Sequence, residues 1–360
     1  MLNKNVNMKT GILTFHNANN YGAVLQAYAL QEAVKKICPE VSIIDYRCRA
    51  IEMRYFPPNL HEGSLKHRLR RCVEYGFQKI KYKKFDIFRK NFFNLDKKEL
   101  LDNDYYDIII VGSDQVWNYK LTDCDWTFFL KPVINSVQKC AYAPSFGLSN
   151  IEPILEEEIA SCLNNFKQLS VREETGRTLI SRLTGKDVPV VVDPTLLLSK
   201  TEWITKMQIK KKREEYILVY LFGVIKEATD YIHWLSEKTK LPIIVIDSSL
   251  KKVIKGKYVR FASPKKWVEL FANAKYVVTN SFHGLMFSII FEKEFYIAPL
   301  QKEVKTGSRI DDSLERLGLE NRKINGFMIK EDIDYEKVHE RLEEMISHSM
   351  TYLLNSMEEI

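Results

Sequence analysis

The sequence predicts an α/β protein built from two doubly wound units, and three observations carry that prediction. Short apolar runs alternate with amphipathic helical stretches along most of the chain. The alternation breaks once, at Asp193-Pro194 and the lysine-rich stretch Lys200 to Arg213, and then begins again. At 360 residues and 45% hydrophobic, the chain is long for one domain and has apolar side chains enough for two cores.

Each element has its own reason. Thr10 to Phe15 reads as a short buried strand, and a loop of His16, Asn17, Asn20, Tyr21 and Gly22 leads to a helix from about Ala23 to Ile37. Ala23, Ala27, Leu30, Val34 and Ile37 step by four and three and line one face of it. Pro39 stops it, and Val41 to Tyr46 returns as a strand, so this opening β-α-β unit requires a parallel pair with a right-handed crossover. Strands follow at Tyr106 to Val111, Val137 to Tyr142, Leu169 to Val171 and Val188 to Val192, with helices at Ile151 to Phe166 and Thr175 to Leu183.

The second unit starts with strand Tyr216 to Phe222, then helix Lys226 to Lys240, strands Leu241 to Asp247 and Tyr258 to Phe261, and helix Pro264 to Ala274 with Ser263 as its cap. Tyr276 to Phe291 reads as a strand running through a polar elbow into an apolar helix, and Phe295 to Leu300 as a further strand. The tail Tyr335 to Met357 is an amphipathic helix. The expected domains are therefore 1–199, with a basic insertion at about 50–100, and 200–330, with 331–360 packing back on the first.

A charge of +7 is too mild for a dedicated nucleic-acid binder and suits anionic substrates or an anionic membrane surface. From Ser64 to Lys98 twelve Lys/Arg face three acids, interleaved with aromatic residues; Lys251 to Lys266 holds seven Lys/Arg and no acid. The six cysteines show no C-x-x-C and no histidine at ligand spacing, so they read as reduced thiols, and no metal site is expected. The N-terminus shows no signal-peptide apolar core, and no apolar stretch approaches the ~20 residues that span a bilayer. The expectation is a cytoplasmic protein with peripheral membrane contact at most.

Five polar clusters follow predicted strands, where a doubly wound sheet binds its ligands. They are His16, Asn17, Asn20 and Tyr21; Ser113, Asp114, Gln115 and Trp117; Ser145 and Gly147; Arg172 and Glu173; and Asn280, Ser281 and His283. The first loop is not G-x-G-x-x-G, which disfavours a dinucleotide. Its asparagines either shape the turn and cap the helix or meet a hydroxylated ligand. Gly112-Ser-Asp-Gln-Val-Trp117 joins carboxylate, amide and indole, a mixture that suits a sugar; a capping Asp114 and a core Trp117 are the alternative. Arg172 offers a bidentate fork to a carboxylate or phosphate, or a salt bridge to Glu173 or Glu174. His283, at the start of a helix, can hand a proton to a bound anion or merely cap the helix. Gly307-Ser-Arg309 opens another helix with Lys305 and Arg309 at its start, against the helix dipole unless an anion is bound.

Taken in order, Thr14 to Gln31, Val111-Gly-Ser-Asp-Gln-Val-Trp-Asn118, Tyr142-Ala-Pro-Ser-Phe-Gly147, Ser170-Val-Arg-Glu-Glu174, Val192-Asp-Pro-Thr195 and Asn280-Ser-Phe-His-Gly284 resemble the polysaccharide pyruvyltransferase family, over about residues 10 to 320. The resemblance implies two Rossmann-like domains facing across a cleft, like a GT-B glycosyltransferase. It also implies phosphoenolpyruvate as donor substrate with no further cofactor, and a sugar diol as acceptor; the basic, aromatic stretch from Ser64 to Phe93 adds the expectation that this acceptor is lipid-diphosphate-linked. The product is then a cyclic pyruvate ketal. His283, by its place in the elbow, is the candidate general acid, and Asp114, by position, the group expected to orient or deprotonate the acceptor hydroxyl. Arg172, Asn280, Ser281, Gly284, Lys305, Ser308 and Arg309 are expected around the donor, and His16, Asn17, Asn20, Tyr21, Gln115, Trp117 and Ser145 around the acceptor. Relatives carry an arginine where this chain has Ser281, and Lys305 or Arg309 is the expected replacement. A nucleotide-sugar glycosyltransferase and a non-catalytic sugar-binding partner are the competing readings of the same scaffold.

Overall fold

The structure is a computed structural model and describes residues 8–55, 65–97, 105–134, 136–247, 252–300 and 307–358. It divides into two units. The first comprises Met1–Phe56, Arg89–Leu198 and Glu343–Ile360; the second comprises Pro57–Phe88 and Ser199–Leu342. Two doubly wound parallel sheets, one per unit, give the two-domain α/β fold that the sequence predicts.

In chain order the elements begin with β1 (Thr10–Leu13), α1 (Tyr21–Lys35), β2 (Val41–Ile44), α2 (Arg49–Tyr55), α3 (Leu65–Phe92) and β3 (Leu95–Asp96). There follow β4 (Ile108–Val111), α4 (Tyr119–Thr122), β5 (Gln138–Ala141), α5 (Pro153–Asn164), β6 (Gln168–Leu169) and α6 (Glu174–Thr184). The six strands pair in the order β3-β2-β1-β4-β5-β6, all parallel. Unbroken apolar runs such as Ile108 to Val111 are what a sheet covered on both faces selects, and all four of those residues are buried. Strand order reverses between β1 and β4, which leaves a crevice at their carboxyl ends. Asn20 caps α1 by accepting from the Gly22 and Ala23 amides.

The second unit contains α7 (Lys200–Lys206), β7 (Ile217–Tyr220), α8 (Lys226–Thr239), β8 (Ile243–Ile246), β9 (Lys257–Val259), α9 (Pro264–Asn273) and β10 (Tyr276–Thr279). It continues with α10 (Phe282–Ile290), β11 (Glu294–Ile297), α11 (Gly307–Leu317) and α12 (Tyr335–Glu358), the last of which is grouped with the first unit from Glu343 onward. Its strand order is β11-β10-β7-β8-β9, so here the reversal falls between β7 and β10. Arg322 is among the largest fully buried side chains: its guanidinium donates to the Phe295 and Glu331 carbonyls and to Glu294 at 2.8 Å.

Three elements differ from expectation. Val188 to Val192 makes only the single bridge Val171↔Val190, because Pro189 lacks an amide and Pro194 closes the run. The basic stretch taken as an insertion holds α3, a helix of 28 residues. The passage after Leu198 begins with α7, fixed by a reciprocal cap in which Ser199 Oγ accepts from the Glu202 amide and the Ser199 amide donates to Glu202. The S-x-x-E signature of that cap was legible in the sequence. Residues 331–360 are one expectation that resolves into parts: Tyr352 donates to the Ala141 carbonyl and the Val192 amide donates to Ser349, both within the first unit.

Replacing Arg322 by alanine empties a fully buried site and removes the donor shared by the Phe295 and Glu331 carbonyls and one oxygen of Glu294. Urea unfolding of Arg322→Ala is expected to show a loss of about 3 kcal/mol; a loss below about 0.5 kcal/mol contradicts the role given to this side chain.

Candidate functional site

The elbow between β10 and α10 is built from short-range polar links. Thr279 Oγ1 donates to the Tyr220 carbonyl at 2.7 Å and accepts from the Ser281 amide. Ser281 caps α10, its Oγ accepting from the Gly284 amide at 3.3 Å. Gly284 is required for closeness: a Cβ there would lie 2.3 Å from Thr279 Oγ1. Asn280 bridges to the loop after β7, accepting from the Phe222 amide at 2.7 Å and donating to the Phe222 carbonyl. The two loops at the strand-order reversal are thus tied together.

Within this rigid turn His283 is the half-buried residue; Thr279 to Phe282 and Gly284 to Ile290 are all buried. It sits in the first turn of α10, where the helix dipole favours an anion. Its ring packs edge-on against Phe282, with centroids 5.2 Å apart. The Arg309 guanidinium, from α11, lies 5.5 Å over the same Phe282 ring and is buried. The elbow, His283 and Arg309 are therefore one cluster. Lys305 lies outside the described residues, as does the side chain of Ser308, which falls within α11.

In the first unit the loops after β1 and β4 meet through Thr14, whose Oγ1 donates to the Ser113 carbonyl at 2.9 Å. His16 is buried, with Nε2 2.9 Å from Asp45 Oδ1 and Nδ1 3.3 Å from the Thr14 carbonyl. The His16 hydrogen bond holds the Asp45 carboxyl down at about 2, against the opposing effect of burial, with Arg47 adding to the lowering. Asn17 donates to Glu52. Asn17, Asn20, Asp114 and Gln115 are half-buried and border the crevice loops. Asp114 has a φ of 80°, and its carboxylate accepts from the Gln115 amide at 2.8 Å.

Several expected site residues have other work. Arg172 does not emerge at the sheet edge. Its side chain is 1% exposed, with Nη1 2.9 Å from Asp193 and Nε 3.7 Å from Glu173. Burial alone would lower its pKa; the charges of Asp193, Glu173 and Asp114 outweigh that and raise it. The fork offered to a ligand is closed on the protein's own carboxylates. Trp117 is core, not a sugar platform: fully buried, stacked on Phe129 and donating to the Phe128 carbonyl. Tyr21 is buried, which pushes its hydroxyl pKa up. Ser145 is buried and donates to Glu173 at 2.5 Å, and Asn20 serves α1 as its cap.

Asp193 is the residue that sequence reasoning passed over as a strand terminator. The signal for it was Asp-Pro-Thr195: the carboxylate accepts from the Thr195 amide and hydroxyl, as a cap before proline does. Among the described residues no helix is long and apolar enough to cross a membrane, and no group of three or more His, Cys, Asp or Glu is arranged to hold a metal ion. All six cysteines are free thiols.

The family described as polysaccharide pyruvyl transferase matches residues 20–298. No curated protein matches the chain. Among solved structures it is similar to the UDP-GlcNAc 2-epimerase of Neisseria meningitidis bound to UDP-GlcNAc, at 12% identity over 97% of this chain and 94% of that one, TM-score 0.48. The UDP-GlcNAc 2-epimerase of Methanocaldococcus jannaschii gives 13% identity over 94% and 93%, TM-score 0.46. A heptosyltransferase of E. coli with ADP gives 13% identity over 94% and 100%, TM-score 0.38.

The Asp45 carboxyl has a folded pKa of about 2 against 3.8 for the free side chain. Its stabilising effect is complete above about pH 4 and is lost as the pH falls through about 2. Wild type should therefore lose stability more steeply than Asp45→Asn across that window, as read by acid titration of the unfolding midpoint; parallel curves contradict the His16–Asp45 bond.

Proposed function

The chain belongs to the polysaccharide pyruvyl transferase family, which makes it a transferase enzyme, and from that premise we propose that it moves the enolpyruvyl group of phosphoenolpyruvate onto a sugar diol. The observation that carries the reading is the elbow of the second unit, where one half-buried imidazole stands at a helix N-terminus beside a buried guanidinium.

The reaction needs three events. An acceptor hydroxyl oxygen bonds to C2 of the enol phosphate while C3 takes a proton and becomes a methyl group. The C2–O bond to phosphate then breaks, and a second hydroxyl oxygen bonds to C2 to close the ketal. Of the two hydroxyl protons lost, one balances the proton gained at C3 and the other leaves with phosphate. His283 is the proposed acid for C3, and such help is worth roughly 10²- to 10⁴-fold in rate. Asn280, Ser281 and Gly284 shape the turn that aims it. The start of α10 and the Arg309 guanidinium favour the donor's negative charge, and Lys305 and Ser308 are proposed as further donor contacts. Arg309 takes the place of the guanidinium that relatives carry at Ser281.

Asp114 is the proposed partner of the acceptor hydroxyl, with Asn17, Asn20 and Gln115 as half-buried hydrogen-bonding groups nearby in the same unit. His16 and Ser145 support those loops from beneath. A lipid-diphosphate-linked acceptor is supported by α3, which exposes Val73, Ile80 and Ile87 at heptad spacing together with Lys79, Lys83 and Lys90.

Purified protein given phosphoenolpyruvate and a sugar-terminated lipid diphosphate should release phosphate and form the ketal in equal amounts. Silence across galactose-, glucose- and mannose-ended acceptors contradicts the reading. His283→Gln is expected to lower kcat by roughly 10²-fold or more, and Arg309→Ala to raise the KM for phosphoenolpyruvate about tenfold. Sedimentation with vesicles containing anionic phospholipid, abolished by high salt, checks the membrane contact; equal binding to neutral vesicles argues against it.

A further inference from the structure

We propose that Arg172 is a positioning residue: it holds the strained loop that presents Asp114, and it is not a clamp on the anionic donor. The inference rests on the reading of Asp114 as the group that meets the acceptor hydroxyl.

Asp114 stands in a left-handed backbone conformation, φ 80°, that a non-glycine residue keeps only when its surroundings impose it. The imposing contacts are on both sides of the residue. Its carbonyl accepts from the Ser145 amide at 2.9 Å, and it bridges in parallel to Pro144. Ser145 is itself fixed, because its Oγ donates to Glu173 and accepts from the Gly147 amide at 3.0 Å. Gly147 has a φ of 59°, and a Cβ there would lie 2.1 Å from Gln115 Oε1, so the two loops interlock closely.

The Arg172 guanidinium is the hub of this arrangement. Nη1 donates to Ser113 Oγ at 3.3 Å, the residue before Asp114, and to Asp193 at 2.9 Å. Nε is 3.7 Å from the Glu173 carboxylate that holds Ser145, and Nη2 is 4.0 Å from Asp114 Oδ1. One planar group therefore reaches the loop after β4, the Glu173 carboxylate after β6 and Asp193 at once, and touches the loop after β5 only through the Glu173–Ser145 bond; the single charge point of a lysine does not do this.

Access argues the same way. The side chains of Arg172, Asp193 and Glu173 are 1%, 0% and 5% exposed, whereas that of Asp114 is 16% exposed. A doubly charged donor approaching this guanidinium would meet three carboxylates of its own sign and would have to displace a buried ion pair. Asp114 is the member of the cluster that a hydroxyl can reach.

The test is a double-mutant cycle on the full chain, with turnover and calorimetric binding of phosphoenolpyruvate as separate readouts. Arg172→Lys should lower kcat by roughly 10²-fold, the cost of a small misplacement. It should leave the KM and Kd for phosphoenolpyruvate within about twofold and add little to Asp114→Asn. A Kd raised tenfold or more, with effects that multiply in the double variant, identifies a donor clamp and overturns the proposal. If Arg172→Lys does not fold, Ser113→Ala removes one partner and keeps all three carboxylates. A several-fold loss of kcat at constant KM then supports positioning, and unchanged kcat overturns it. If wild type turns over no acceptor, it is the functional reading that fails, and a crystal structure of Arg172→Lys decides the inference. Release of the bond from the Ser145 amide to the Asp114 carbonyl supports positioning; an unmoved loop overturns it.

Discussion

The ion pair between Arg172 and Asp193, 2.9 Å long and almost wholly removed from solvent, is the contact on which the ligand-facing edge of the first unit depends. Taking two charges out of water is expensive, and such a pair persists where hydrogen bonds satisfy the remaining donors and acceptors. On the aspartate side they do: Thr195 donates twice to the other Asp193 oxygen, and Ser113 sits between the partners. On the arginine side Nε and Nη2 face the Glu173 and Asp114 carboxylates at 3.7 and 4.0 Å, beyond hydrogen-bond length. What the pair provides is specificity of loop conformation. The positive φ of Asp114, which a non-glycine residue keeps only when its surroundings impose it, lies one residue from Ser113, and Ser113 bonds to both partners of the pair.

The second unit solves the same problem with smaller groups. Thr279, Asn280 and Ser281 are buried hydroxyl and amide side chains, each bonded to backbone, so the elbow is rigid without an ion pair. Both sheets reverse their strand order next to the loops in question, β1 with β4 and β7 with β10. In doubly wound sheets this is where the backbone leaves room for a ligand. Topology therefore sets the place, short polar side chains set the shape, and the roles proposed for His283 and Asp114 rest on both.

Much of this was legible in the sequence because it obeys local rules. Strand and helix positions followed from apolar period, and the crevice loops from the polar residues that end strands such as Ile108 to Val111. The elbow at 280–284 could be read as strand, cap and helix. What could not be read was direction. Arg172 follows a buried strand residue, and nothing local tells whether its guanidinium turns outward to a ligand or inward to an aspartate 21 positions on. Trp117 was ambiguous for the same reason, since an indole suits a sugar face and a core equally and only the surrounding Phe128, Phe129 and Phe146 decide. The strand expected at 188–192 failed because a β-branched run outweighed the proline inside it.

The central claim is that C3 of the enolpyruvyl group receives its proton from one side chain fixed on one side, His283. The most direct measurement is the handedness of the ketal methyl group formed from phosphoenolpyruvate labelled with deuterium in a defined geometry at C3, reacting in tritiated water. A fixed imidazole predicts a methyl group of a single handedness. A racemic methyl group, meaning that solvent delivers the proton from either face, would contradict the account.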